Sequence, residues 1–218
     1  MTTDQRIAQA EVLYHRAVFG GEKGATTDAE RHLDEVEAEL ALTRGKVVHA
    51  RFLTGRVEDA RELGLFEQAA RLYKQLGDTR GEGEAAFWIG TFHQVVRDSH
   101  ELALPYFRLA FDLATASGDD LTLSYVLRHL GFADHMAGRL PEARAHFEES
   151  TRLRRALGFD AGVAANLLGM AYLADQEQRR EDAAALLAEA TDLARGAEAH
   201  GVLGWIAGAR EELGLAEA

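Results

Sequence analysis

The sequence predicts an all-α protein built from repeated antiparallel helix pairs. Three observations predict it. Ala, Leu, Glu and Arg, all good helix formers, dominate the 218 residues, and only two prolines occur, Pro105 and Pro141. No segment alternates apolar and polar residues in the β-branched, aromatic manner of a strand. Finally, two ladders of small residues recur in step along the chain, and such internal repeats decide a fold before any local reading does.

The first ladder is a small residue followed four positions later by a large one: Ala29–Leu33, Ala69–Tyr73, Ala103–Phe107, Ala143–Phe147 and Ala183–Leu187. Its alanines are 40, 34, 40 and 40 residues apart. The second ladder places a glycine upstream in each unit: Thr54-Gly55, Ile89-Gly90, Leu130-Gly131, Leu168-Gly169 and Leu203-Gly204. A glycine inside a helix costs about 1 kcal/mol against alanine, and it is tolerated where another chain segment must come close. The alanine of the following helix then meets it, and Phe, Tyr or Leu one turn on fills the space beside them. Neither helix of a pair buries its apolar face alone, so stacked neighbours complete the core.

Taken in order, helices are expected at 3–19, 28–44, 46–62, 65–76, 80–97, 100–116, 120–137, 141–156, 160–177, 180–195 and 198–213. "TDAE", Thr27 to Glu30, reads as a capping box for the second. Gly64 precedes the fourth, and Gly138-Arg139 precede the eighth, whose Pro141 suits a first helical turn. Pro105 lies inside the sixth and predicts a kink there or a later start. "SGDD" at Ser117–Asp120 and "LGFD" at Leu157–Asp160 each end one helix and cap the next. The expected organisation is a single domain over 1–218, with a divergent N-terminal unit at 1–44, clear repeats over 45–196 and a capping helix at 197–214.

The repeated pattern Leu130-Gly131 … Ala143 … Phe147 resembles the tetratricopeptide repeat (TPR). The likeness covers roughly Gly45 to Gly214 and extends weakly to the N-terminus. Two features depart from it. Three of the four spacings are 40 residues, as in the ligand-sensing arms of some bacterial regulators, and Ala86, Leu127 and Ala165 stand where the family has a tryptophan. The resemblance implies a right-handed superhelical solenoid of about five repeats plus a C-terminal capping helix. Its concave groove would bind peptides, proteins or small molecules. The family's carboxylate-gripping set of Lys, Asn and Arg is incomplete in this chain.

Helical geometry selects the groove face. In the unit around Gly131, the spacing i, i+3, i+4, i+7, i+10, i+11 aligns Tyr125, Arg128, His129, Phe132, His135 and Met136 on one side. The preceding unit offers Phe87, Trp88 and Thr91 on the same face, the next offers Asn166 and Met170, and the last helix offers Trp205. Further upstream the face continues through His49 and Phe52. Aromatics and Met with a few hydrogen-bonding groups make a binding surface. Arg128 suits an acidic or carboxylate-bearing ligand through a bidentate contact, with Asn166 adding an amide contact one repeat on.

Charge and composition narrow the partners. The net charge of −12 disfavours nucleic acid, although Leu121–Gly158 holds six arginines against four acidic residues. Arg152, Arg154 and Arg155 are expected on a solvated face, as are the acids of "EVEAE", Glu35 to Glu39. With no cysteine there is neither disulfide nor thiolate site. Nine histidines form no i, i+4 pair, so no metal is expected. Asp134 and His135 are adjacent on a helix and point about 100° apart, so Asp134 is expected to bond a neighbouring helix instead. Ser124 lacks a matching base and oxyanion loop for a hydrolase. The N-terminal "MTTDQRIAQAE" has no basic start and apolar core, and no run is long enough to span a membrane. The expectation is therefore a cytoplasmic, cofactor-free binding module for a peptide or protein segment. A compact small-molecule ligand is the alternative, and an enzyme with a site in the groove is less favoured. A homodimer through an open solenoid end fits the weak cap of the tail "GLAEA".

Overall fold

A computed structural model describes residues 1–215. Helix α1 spans Thr3–Gly20, α2 Ala25–Gly55, α3 Arg61–Leu76, α4 Thr79–Thr91, α5 His100–Ser117, α6 Asp120–Met136, α7 Leu140–Ala156, α8 Asp160–Gln176, α9 Arg180–Gly196 and α10 His200–Glu212. No strand occurs among the described residues. No helix there is long and apolar enough to cross a membrane. The helices form two compact units, Met1–Gly118 and a second beginning at Asp119.

In the first unit, α2 is one helix of 31 residues where two were expected. Gly45 does not break it, because no proline or capping residue follows to stop the hydrogen-bond ladder. Instead Gly45 is buried, and the Phe66 ring occupies the place of its missing side chain. The glycine rung of this pair is thus Gly45 rather than Gly55, which has nothing near it. The N-terminal half of α2 packs Ala25 and Ala29 against Ala10 and Leu13 of α1. Its middle packs Ala38, Ala41 and Leu42 against Phe66, Ala69 and Tyr73 of α3. Leu33 is 46% exposed, so the first rung of the alanine ladder lacks its large partner.

Several boundaries move for local reasons. The capping box expected at Thr27 does not form, because α2 starts at Ala25 after Gly24, whose φ of 89° needs a glycine. Helix α3 starts four residues before the expected position and absorbs Gly64, since Asp59 accepts from the Arg61 backbone at 3.0 Å and turns the chain early. Helix α4 gives way at Phe92–Val96 to a π turn, ending in a bond from Arg97 N to Phe92 O of 3.2 Å. The β-branched Val95 and Val96 are poor formers of a last α turn. Pro105 sits within α5 without shifting its start.

The second unit follows the predicted pattern closely. Gly138 and Gly158 take left-handed φ at the expected helix ends, as Gly118 does at the end of the first unit. Asp119 caps α6 by accepting from Thr122 N at 3.2 Å, while α8 begins after Phe159 with no side-chain cap. Phe147 of α7 fills the gap between two glycines. A Cβ at Gly131 would lie 3.3 Å from its ring, and one at Gly169 would lie 2.8 Å from it. Leu167, Leu187 and Ile206 anchor the core of α8, α9 and α10. The last described residue is Leu215, so Ala216–Ala218 of the tail expected to cap weakly lie outside the described residues.

Candidate functional site

The predicted stripe is shared between the two units. Phe87, Trp88 and Thr91 belong to the first, and the remaining candidates to the second.

Of the three candidates in the first unit, Trp88 is half-buried and the other two are buried. Phe87 and Thr91 are each 3% exposed, and the Phe87 ring is core, 6.2 Å from Phe107. Trp88 stacks on Phe66 with centroids 5.6 Å apart and meets the edge of His49 at 5.4 Å. The Lys46 ammonium lies 5.8 Å above the indole, a cation–π contact, and pairs with Glu84. Behind it, buried His49 Nδ1 is 2.7 Å from the fully buried carboxylate of Glu62. Burial and the charge of Arg97 hold the His93 imidazole below its ordinary range, and its ring stacks on Tyr106.

In the second unit, α6 presents Phe132 at 43% exposure and Met136 at 63%. Half-buried His135 joins α6 to α8 through Gln176 Oε1 at 2.8 Å. His129 and Tyr125 share the half-buried part of this helix. Asp134 turns away from His135, as helical geometry requires. It accepts from Arg139 at 2.6 Å, and its other oxygen lies 2.8 Å from His146 Nδ1 on α7. Ser124 is fully buried and donates to the Leu121 carbonyl at 2.8 Å, so its hydroxyl is committed to structure.

Asn166 does not face outward. It is fully buried, and its amide donates to Ser150 Oγ at 2.7 Å and Thr151 Oγ1 at 3.2 Å. Its oxygen accepts from Arg154 Nη1 at 2.9 Å and from Arg128 Nη1 at 3.3 Å. Arg128 also donates to the Ala165 carbonyl, and Arg154 to the Gly162 carbonyl at 2.7 Å. Met170 packs toward Ala143, Phe147 and Leu173 instead of joining Arg128. It lines a separate hollow of about 360 Å³ with Leu167, Leu186 and Arg155. Trp205, 52% exposed, stands on α10.

Arg154 is the residue the sequence reading misplaced. Its neighbours are solvated as expected: Arg152 pairs with Glu149 at 2.6 Å and Arg155 with Glu189 at 2.8 Å. Arg154 itself is 1% exposed, with its guanidinium 4.9 Å from the Tyr125 ring centroid and 5.5 Å from that of Phe159. The signal was present in the spacing. Ala143, Phe147, Ser150 and Arg154 follow i, i+4, i+7, i+11, the buried stripe of α7. Burial pushes the Arg154 guanidinium down to about 9, helped by the charge of nearby Arg128, and burial takes Arg128 down to about 10. Among the described residues, no group of three His, Asp or Glu side chains is placed to hold a metal ion.

Paired helices with glycine–aromatic rungs define a helical-repeat scaffold. Residues 83–156 match the family model of the tetratricopeptide repeat, so the chain carries tetratricopeptide repeats over that stretch, and a repeat of this kind marks a protein-interaction module. No curated protein matches the chain.

Proposed function

We propose that the outward face of α6 receives a peptide or protein segment bearing acidic or carboxylate groups, without catalysis. One observation carries this reading: Phe132 and Met136 stand exposed one and two turns beyond Arg128, which has no carboxylate partner among the described residues. An apolar ledge beside an unneutralised cation suits an amphipathic segment with an anionic group at one end. The same reading puts the protein in the cytoplasm, cofactor-free and without nucleic-acid or membrane partners, with a homodimer formed through a solenoid end.

The test is fluorescence anisotropy with peptides matched in length and apolar content but acidic, neutral or basic. The acidic series binds tightest, and Phe132→Ala with Met136→Ala weakens it at least about tenfold, given about 1.5–3 kcal/mol for each apolar side chain fully buried. Equal affinity across the three charges, or indifference to the double substitution, contradicts the reading. A small-molecule ligand is the second reading, supported by the hollow at Met170 and Leu186. Native mass spectrometry of protein from its own host then shows a retained compound, and a bare mass excludes it.

A further inference from the structure

The arginines of the basic stretch Leu121–Gly158 do not share one fate. Four are neutralised on the surface or at helix ends: Arg139 by Asp134 at 2.6 Å, Arg144 by Glu177 at 2.5 Å, Arg152 by Glu149 at 2.6 Å and Arg155 by Glu189 at 2.8 Å. The two left over, Arg128 and Arg154, are the two brought together. Both donate an Nη1 proton to the single oxygen of Asn166, so those atoms lie within two hydrogen-bond lengths of one another. Among the described residues no carboxylate meets either guanidinium, and every acceptor they have is neutral: Ser124 Oγ, Asn166 Oδ1 and the carbonyls of Ala165 and Gly162.

Such an arrangement is costly for a structural purpose. Buried charges are normally paired, and two like charges in a shared low-dielectric junction raise one another's energy. Arg154 adds a sharper sign. At 1% exposure, its Nη2 has no hydrogen-bond partner. The Tyr125 and Phe159 rings hold the guanidinium but supply no anion. Arg128, half-buried, is the member that reaches the surface of α6, and Tyr125, also half-buried, flanks it one turn away.

We propose that Arg128 and Arg154 form an oxyanion site at the junction of α6, α7 and α8, and that its ligand is a phosphoryl group. Two uncompensated unit charges are balanced by a phosphate monoester, which carries about −1.5 to −2 at pH 7 and three strong acceptor oxygens, whereas a carboxylate leaves one of them unbalanced. Arg128 grips the group directly, and Arg154 acts behind it as a fixed positive charge. The site rests on the partner reading for the source of the phosphate, a phosphorylated side chain of the docked segment, but not for its existence. Asn166 is a positioning residue, because its oxygen holds both guanidiniums in register.

The experiment titrates the whole protein with inorganic phosphate, and in parallel with acetate and chloride at equal ionic strength. Thermal midpoints and the arginine Nε–Hε resonances are followed by calorimetry and NMR. The site predicts a phosphate-specific rise in the midpoint and shifts confined to the Arg128 and Arg154 resonances. Arg128→Met abolishes both. Arg152→Ala with Arg155→Ala leaves both intact, because those residues are already paired outside the junction. Arg154→Met weakens phosphate binding at least about tenfold if the variant keeps its helical spectrum; if it does not fold, the Arg128→Met comparison and the resonances decide alone. The absence of any phosphate-specific effect, or one that survives Arg128→Met, overturns the site. Acetate acting as strongly as phosphate overturns the phosphoryl assignment. Phosphate binding without any peptide binding retains the site and removes the partner reading, and peptide binding with a silent phosphate titration does the reverse.

Discussion

Two glycines of the same ladder should respond oppositely to one methyl group. Gly169 lies mid-way along α8, and a Cβ there would sit 2.8 Å from Cε1 and Cζ of Phe147. Carbon atoms prefer about 3.5–4.0 Å, so the methyl overlaps the ring. Phe147 is 2% exposed and faces Gly131 on its other side, where a Cβ would lie 3.3 Å from its ring, so it has little room to withdraw. Overpacking costs about 1–3 kcal/mol, and the gain in helix propensity returns about 1 kcal/mol. Gly169→Ala therefore destabilises by up to ~2 kcal/mol. Gly204, inside α10, has nothing within 4 Å of the same position. Gly204→Ala keeps the propensity gain alone and stabilises by about 0.5–1 kcal/mol. Urea denaturation followed by circular dichroism measures both, with Phe147→Leu in the Gly169→Ala background as the coupling control. The smaller side chain should recover part of the loss. Shifts of the same sign at both glycines, or no coupling to Phe147, refute the claim that close packing selects the glycine.

Other consequences follow from the same contacts. Phe147→Ala opens a cavity beside two glycine rungs and costs about 3–5 kcal/mol, measured in the same denaturation. Glu62→Ala leaves buried His49 without its acceptor and costs about 2 kcal/mol or more, with Trp88 fluorescence reporting the change because the His49 ring meets the indole at 5.4 Å. Burial, with the charge of Arg128, lowers the Arg154 guanidinium to about 9, below its value in the unfolded chain, so the unfolded chain holds the proton to higher pH. By linkage, the destabilising effect of its charge is fully present below about pH 9 and fades as pH rises above it. The stability difference between the native protein and Arg154→Met should therefore move in favour of the native protein from pH 8 to pH 11, and a flat difference contradicts the buried charge. Arg152→Ala should leave stability unchanged, since its partner Glu149 is a solvated neighbour on the same helix.

Much of this architecture was legible because its signals are local and periodic. The rungs Ala69–Tyr73, Ala103–Phe107, Ala143–Phe147 and Ala183–Leu187 are buried throughout, and Gly90, Gly131 and Gly169 each receive a neighbour's side chain or backbone. Gly45 misled the reading because a glycine that ends a helix and one that admits Phe66 look alike until the partner helix is in place. The candidate face was legible only in part. Phe132 and Met136 are open, whereas Phe87, Thr91 and Asn166 are buried, since helical spacing gives a direction but not what lies in it. Arg154 hid among Arg152 and Arg155 because a run of like charges reads as solvated, and only the register with Phe147 and Ser150 sets it apart.

Chemical-shift mapping of the whole protein with an acidic, phosphoserine-bearing peptide tests the central claim most directly. The account predicts perturbations concentrated on Tyr125, Arg128, Phe132 and Met136 of α6, lost in Arg128→Met. Perturbations centred on Arg155 and Leu186 instead, or a spectrum that does not change at saturating peptide, contradict it.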